Sequence, residues 1–204
     1  AMGGMLGIDD LDIIAKLDFL CDDIGVDSLN TGTAIAIAMD SGFREFGDGQ
    51  AAIQLVAEIA EGTEIGMLIG HGPTAVGKHF NNDRVAVVKN QSIAGYDPRA
   101  MMGTGVTYAT SPMGADHTAG NLIEEYEQGT LDPLDPKGQV EASKQVQIFM
   151  TFIDCSGFCL FAGLTLGNPV PEKAFFKLME SLLGKPFNKS SMTEIGIQTL
   201  KEER

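Results

Sequence analysis

Positive charge is scarce in this sequence. Its 204 residues hold 14 lysines and arginines against 28 aspartates and glutamates, a formal charge of −14. Such a chain offers no basic face for a phosphate backbone or an anionic membrane, so neither nucleic acid nor membrane is expected as a partner. Cysteine is scarce as well. Cys21, Cys155 and Cys159 make an odd, sparse set, which excludes the disulfide framework of small secreted proteins. No basic start and apolar run open the chain, so the cytoplasm is the expected location. The first residue is alanine rather than methionine, and a segment of a longer polypeptide is expected. There is no repeat of fixed period, no low-complexity tract and no strand-rich region.

What is present is ordinary globular composition, 44% apolar and 21% charged, at a length that suits one large domain or two small ones. Helical periodicity dominates, and a mainly helical, all-α domain with little or no sheet is expected, with a possible boundary between two helical subdomains near residues 95–140. Asp9 or Asp10 can cap a helix carrying Leu11, Ile14, Leu17, Phe19 and Leu20. Residues 31–39 are small and apolar, as in a buried helix. Residues 50–61 alternate at helical spacing and stop at Gly62. Residues 64–80 are interrupted by glycine and ambiguous. A short strand fits Val85 to Val88. Further helices are expected from about Ala100, over 139–152, over 171–183 with a proline in the first turn, and over 192–203. Residues 130–138, with two Asp-Pro pairs, read as a surface connection.

Ile148 to Gly167 carries one charge, Asp154, over a membrane-spanning length. An acid at mid-bilayer costs ~2.5–3.5 kcal/mol on insertion scales. A buried segment with a functional acid fits better.

Three segments could carry chemistry. Gly72-Pro-Thr-Ala-Val-Gly77-Lys78-His79 nearly matches a phosphate-binding loop, but His79 stands where a hydroxyl must hold magnesium. A glycine-rich turn between helices is the simpler reading. The second is a pair: Asp22-Asp-Ile-Gly25-Val26-Asp27 and Asp154-Cys-Ser-Gly157-Phe158-Cys159 share the pattern Asp-x-x-Gly-apolar-Asp/Cys. A carboxylate can accept two parallel N–H bonds from the edge of an aminopyrimidine, and a glycine three residues on lets backbone come close to a flat ring. Two independent acidic helix ends would give the same pattern. The third runs from Tyr96-Asp-Pro-Arg99 through Gly103-Thr-Gly105-Val-Thr-Tyr108 to Gly114-Ala-Asp-His117. Its small and hydroxyl residues suit close packing on a bulky ligand, and His117 could face a cavity as a proton donor.

Taken together these segments resemble the C-terminal helical region of the aldehyde ferredoxin oxidoreductase family, over almost the whole chain. The resemblance rests on residues 1–7, Cys21-Asp-Asp-Ile-Gly-Val-Asp27, Ala94-Gly-Tyr-Asp-Pro-Arg99, Gly105-Val-Thr-Tyr-Ala-Thr110, Gly114-Ala-Asp-His117 and Ile153-Asp-Cys-Ser-Gly-Phe-Cys-Leu-Phe161, in that order. It implies a tungsten- or molybdenum-bearing bis-pterin (molybdopterin-type) cofactor beside one [4Fe–4S] cluster. It implies oxidation of aldehydes or related small carbonyl substrates, with electrons passed to ferredoxin or another carrier. Asp22 and Asp154 would each bind a pterin edge. Gly25, Val26, Asp27, Gly157, Phe158 and Leu160 would contact the cofactor. Cys159 would be the cluster ligand from this region, and His117 would face the metal as the catalytic residue. The two aspartate loops should then lie close in space.

The departures are as specific. The family's upstream C-x-x-C-x-x-x-C run is absent from this sequence, and Asp116 and Ala119 stand where relatives often carry a cysteine and a basic residue. Lys16 and Phe19 occupy the Glu-x-x-His place of a separate iron site, so that iron is not expected. The N-terminal pterin-covering domain is missing, so the rest of its own polypeptide is an expected partner, and homo-oligomerisation is possible. Isolated, the chain is expected to lack both cofactors and activity. Two alternatives stand beside this reading: a cofactor-free helical binding or interface module, and a nucleotide-binding protein acting through Gly72–Lys78.

Overall fold

A computed structural model describes residues 2–203. About 61% of the chain is helical, and the described residues contain only two short strands. The all-α expectation holds. The chain divides into two compact units. The first runs to Tyr96 and takes in Met113–Ala115; the second comprises Asp97–Pro112 and the chain from Asp116 onward.

In the first unit, α1 (Leu11–Ile24) starts at Asp10, whose carboxylate accepts from the Asp12 and Ile13 N–H groups. It stops at Gly25, which is left-handed at φ 76°. The buried helix α2 (Ser28–Asp40) fills the core with Ala34, Ile35, Ile37, Ala38 and Met39. The helix α3 (Gly49–Glu61) is capped by Asp48 and ends on left-handed Gly62. The ambiguous stretch after it is two helices, α4 (Glu64–Gly70) and α5 (Pro73–Phe80). Gly72, at φ 88°, turns the chain between them, and Pro73 opens α5. A Cβ at Gly66 would overlap the Glu58 carbonyl, so α4 rides backbone to backbone on α3. A hairpin follows: β1 (Val87–Val88) pairs with β2 (Gln91–Ser92) around Lys89 and Asn90, both at positive φ, as a two-residue primed turn requires. Leu17, Cys21, Leu55, Val56, Ile69 and Val76 complete this core. Leu11 and Phe19, although on the apolar pattern of α1, are 78% and 59% exposed.

The second unit contains α6 (Met102–Thr110), α7 (Ile123–Glu127), α8 (Gln139–Ser156), α9 (Leu160–Gly163), a 3-10 turn (Leu164–Gly167), α10 (Pro169–Leu183) and α11 (Lys189–Glu202). Its core is aromatic. Phe152 meets Phe175 edge to face at 5.8 Å, and Phe187 and Met179 close the cluster. α6 and α11 both pack on α8. There is no room for a Cβ at Gly196: it would overlap the carbonyl oxygen of Ile148, so α11 lies directly on the α8 backbone. α8 runs four residues past its expected end because Ile153 is fully buried and the stop signal is Gly157, left-handed at φ 71°. α11 starts three residues earlier than expected, at a capping box built on Asn188. Among the described residues no single helix is long and apolar enough to cross a membrane. α8 and Leu160–Gly167 pass that test only as a pair, and they are bent by 120°.

Candidate functional site

The two Asp-x-x-Gly segments have the same local construction. In each, the aspartate sits in the last turn of a helix. The glycine ends that helix in the left-handed region, the apolar residue turns inward, and the sixth residue occupies the N-cap of the next helix. At the first loop, the Gly25 and Val26 N–H groups both return to the Cys21 carbonyl at 2.9 Å. Val26 packs against the first core. The Asp27 side chain caps α2 by accepting from the Asn30 N–H. At the second loop, the Gly157 N–H returns to the Asp154 carbonyl at 3.1 Å. Phe158 meets Phe175 edge to face at 4.9 Å. Cys159 makes no capping bond to α9, and its thiol is exposed.

Both loops leave room for a flat ligand. A Cβ on Gly25 or Gly157 would meet nothing within 4 Å, and Asp22, Asp27, Asp154 and Cys159 are all exposed. Val26 and Asp27 also line an open cavity of about 650 Å³ in the first unit, with Asn30, Thr31, Gly72 and Lys78 around it. Asn30 fixes one wall, since its Oδ1 accepts from the Ser92 N–H and hydroxyl at 3.1 and 2.6 Å. Asn30, Thr31 and Asn90 had no motif to single them out; only folding brings them beside the loop.

The three thiols differ. Cys21 is fully buried, and burial, then Asp18, Asp22 and Asp27, push its pKa up to about 11. It is core. Cys155 is exposed, with Sγ 3.4 Å from Thr199 Oγ1. Among the described residues no group of three or more histidines, cysteines or acids could hold a metal ion. Around the two loops the donors are the exposed carboxylates of Asp22, Asp27 and Asp154 and the exposed thiols of Cys155 and Cys159, fewer thiolates than a four-iron cluster takes.

His117 is half-buried in a tight turn. Asp116 Oδ1 accepts from the Thr118 N–H at 2.9 Å and the Thr118 hydroxyl at 2.7 Å. The same Asp116 is felt at the second loop. Burial first, then the Asp116 and Glu203 carboxylates, hold the Asp154 carboxyl above its ordinary value. Asp116, next to His117, is thus one of the charges that bear on Asp154. Gly72–Lys78 follows the helix α4 rather than a strand, and Pro73 removes one N–H from the loop, so the strand–loop–helix setting of a phosphate loop is missing.

Comparison with known proteins agrees over the full length. The family model described as aldehyde ferredoxin oxidoreductase, domains 2 and 3, matches residues 1–204. Curated relatives named tungsten-containing aldehyde ferredoxin oxidoreductase include those of Pyrococcus furiosus (26% identical), Pyrococcus abyssi (28%) and Thermococcus kodakarensis (27%). Each match takes in all of this chain but 36% of the relative, so the chain spans about a third of their length.

Proposed function

Since the chain belongs to the aldehyde ferredoxin oxidoreductase family, we propose that it forms the C-terminal helical region of a tungsten- or molybdenum-pterin enzyme. That enzyme would oxidise aldehydes or interconvert related carbonyl compounds, and pass electrons through a [4Fe–4S] cluster to ferredoxin or another carrier. An N-terminal pterin-covering domain and three further cluster thiolates would come from polypeptide outside these 204 residues. The observation that carries the reading is the repeated loop: an exposed aspartate one turn before a left-handed glycine with open space beside it, once in each unit.

When bound, the cofactor supplies the two-electron chemistry at its metal and the one-electron steps at its cluster. The chain's own residues orient it. Asp22 and Asp154 would accept paired N–H bonds from the ring edges, a charge-assisted contact. For Asp154 this offsets the burial and the like charges that hold its carboxyl high. Gly25 and Gly157 admit the ring faces, with Val26, Asp27, Phe158 and Leu160 beside them. Cys159 gives one thiolate to the cluster. His117 donates or accepts a proton at the substrate oxygen.

The test is a pair of substitutions in the full-length, loaded enzyme. Cys159→Ser should alter the cluster's EPR signal and reduction potential, whereas Cys155→Ser should leave both and the iron content unchanged. An unchanged cluster in Cys159→Ser, with loss in Cys155→Ser, overturns the assignment.

A further inference from the structure

A buried chain of hydrogen bonds joins α8 to the segment that carries His117. Thr107 and Ser143 are both fully buried. Gln147 Nε2 donates to Ser143 Oγ at 3.0 Å and to Thr110 Oγ1 at 3.0 Å. The Ser143 and Thr107 hydroxyl oxygens are 2.8 Å apart. Thr107 Oγ1 donates to the Gly120 carbonyl at 2.8 Å, shorter than its 3.4 Å contact with the Gly103 carbonyl. The direction is set at both ends. The Gln147 amide nitrogen only donates and the Gly120 carbonyl only accepts. The hydroxyl protons therefore run one way, from Ser143 to Thr107 and from Thr107 to Gly120. The fit at Gly120 is close as well: a Cβ there would lie 2.9 Å from Gln147 Cγ and 3.2 Å from Thr107 Oγ1.

The other end of this arrangement is Asp154. Ser143, Gln147 and Asp154 all lie on α8. At 3.6 residues per turn, positions 143, 147 and 154 fall on one stripe of the helix, and 143 and 154 stand roughly 16 Å apart along the axis. The His117 turn is compact, closed by the Ala119 N–H on the Asp116 carbonyl at 3.3 Å. Its Asp116 carboxylate acts on Asp154, and the segment's far end, Gly120, is held through Thr107 to Ser143. One rigid helix thus carries both the second-loop aspartate and the anchor of the His117 segment.

We propose that Thr107 and Ser143 are positioning residues that fix where His117 stands relative to Asp154. The functional side of this rests on the reading of His117 as the residue that faces the reacting centre; the positioning itself does not. Three variants test it: Thr107→Val, which keeps shape and loses the hydroxyl, Ser143→Ala, and Thr107→Ser, which keeps the hydroxyl. Amide hydrogen exchange on the 204-residue chain is the first readout. Loss of either hydroxyl should speed exchange across residues 117–120 by about tenfold, the scale of one buried hydrogen bond, with α10 unchanged. Thr107→Ser should exchange like the parent. Should Thr107→Val fail to fold, Ser143→Ala and Thr107→Ser decide the matter. Exchange that is unchanged at 117–120, or that rises equally in α10, overturns the proposal. In the full-length enzyme the hydroxyl-less variants should lower kcat with KM little changed, and Thr107→Ser should restore it. A full-length His117→Ala enzyme with normal activity would remove the catalytic reading and leave the exchange result standing.

Discussion

In the loop at residues 22–27 a thiol, Cys21, precedes the aspartate and is sealed in the core; in the loop at 154–159 the thiols follow the aspartate and are exposed. The backbones around them are alike: helix end, left-handed glycine, inward apolar residue, N-cap. What differs is the sixth position. Asp27 uses one oxygen to hold the start of α2, so its loop is braced by its own polar residue. Cys159 braces nothing in its helix, and the second loop is held instead by Phe158 against Phe175. A residue that is not needed to cap its helix is free for a ligand. The comparison separates a loop whose last side chain caps the next helix from one whose last side chain does not.

The largest effect that could break this contrast is thiol reactivity. With a pKa of about 11, Cys21 holds roughly one thiolate per thousand molecules at pH 8, and burial blocks access besides. A disulfide reagent should label Cys155 and Cys159 in the native chain and Cys21 only on unfolding. Rapid labelling of all three would mean that the first loop opens. The same shift has a pH consequence. The folded value lies above the ordinary 9.0, so the stability it contributes is present below about pH 9 and is lost as pH rises through 11. Next in size is the cap. Asp27→Ala should cost ~1 kcal/mol in urea unfolding, and Cys159→Ala close to nothing; equal losses would erase the distinction between the loops. The smallest is Asp154→Asn. Burial and the Asp116 and Glu203 charges raise the folded-state pKa of Asp154. The stability that goes with its neutral form is therefore full below the unfolded value of ~3.9 and lost as pH rises through the folded one. The amide should melt higher than the parent at about pH 7, and the gap should close near pH 3.5. A gap that persists in acid would assign the gain to something other than charge.

Much of the fold could be read from local signals, because its helices are closed by side chains that act within a few residues. Asp10 and Gly62 each mark a terminus where the sequence puts one. The errors came where a long-range contact overrode the local signal. Periodicity ends α8 at residue 152, yet Ile153 is drawn into the aromatic core and the helix continues to Ser156, before left-handed Gly157. Leu11 and Phe19 fit the apolar pattern of α1 and nevertheless face outward. The candidate site divides in the same way. The repeated Asp-x-x-Gly loops were visible because each is a contiguous helix stop and helix start. The Thr107–Ser143–Gln147 chain was not, since its members are scattered along the sequence; the one trace of it was a serine and a glutamine one turn apart on the buried side of α8. The cavity beside Asp27 was visible only in pieces: Val26, Asp27, Gly72 and Lys78 lie in two segments that the sequence singles out, but nothing in it joins them, and Asn30 and Thr31 carry no motif.

The seat of Gly196 on the Ile148 carbonyl also bears on how the chain is made. Synthesis delivers N-terminal elements first, and such elements fold as they emerge. The first core draws only on residues between Met2 and Val85, so it can close early. α8 cannot. α6, made before it, can cover one side, but the Ile148 surface stays bare until the ribosome has added Gly196. A chain that stalls or is cleaved in α10 would keep that surface open, so the second unit closes only when nearly all of these residues have been made.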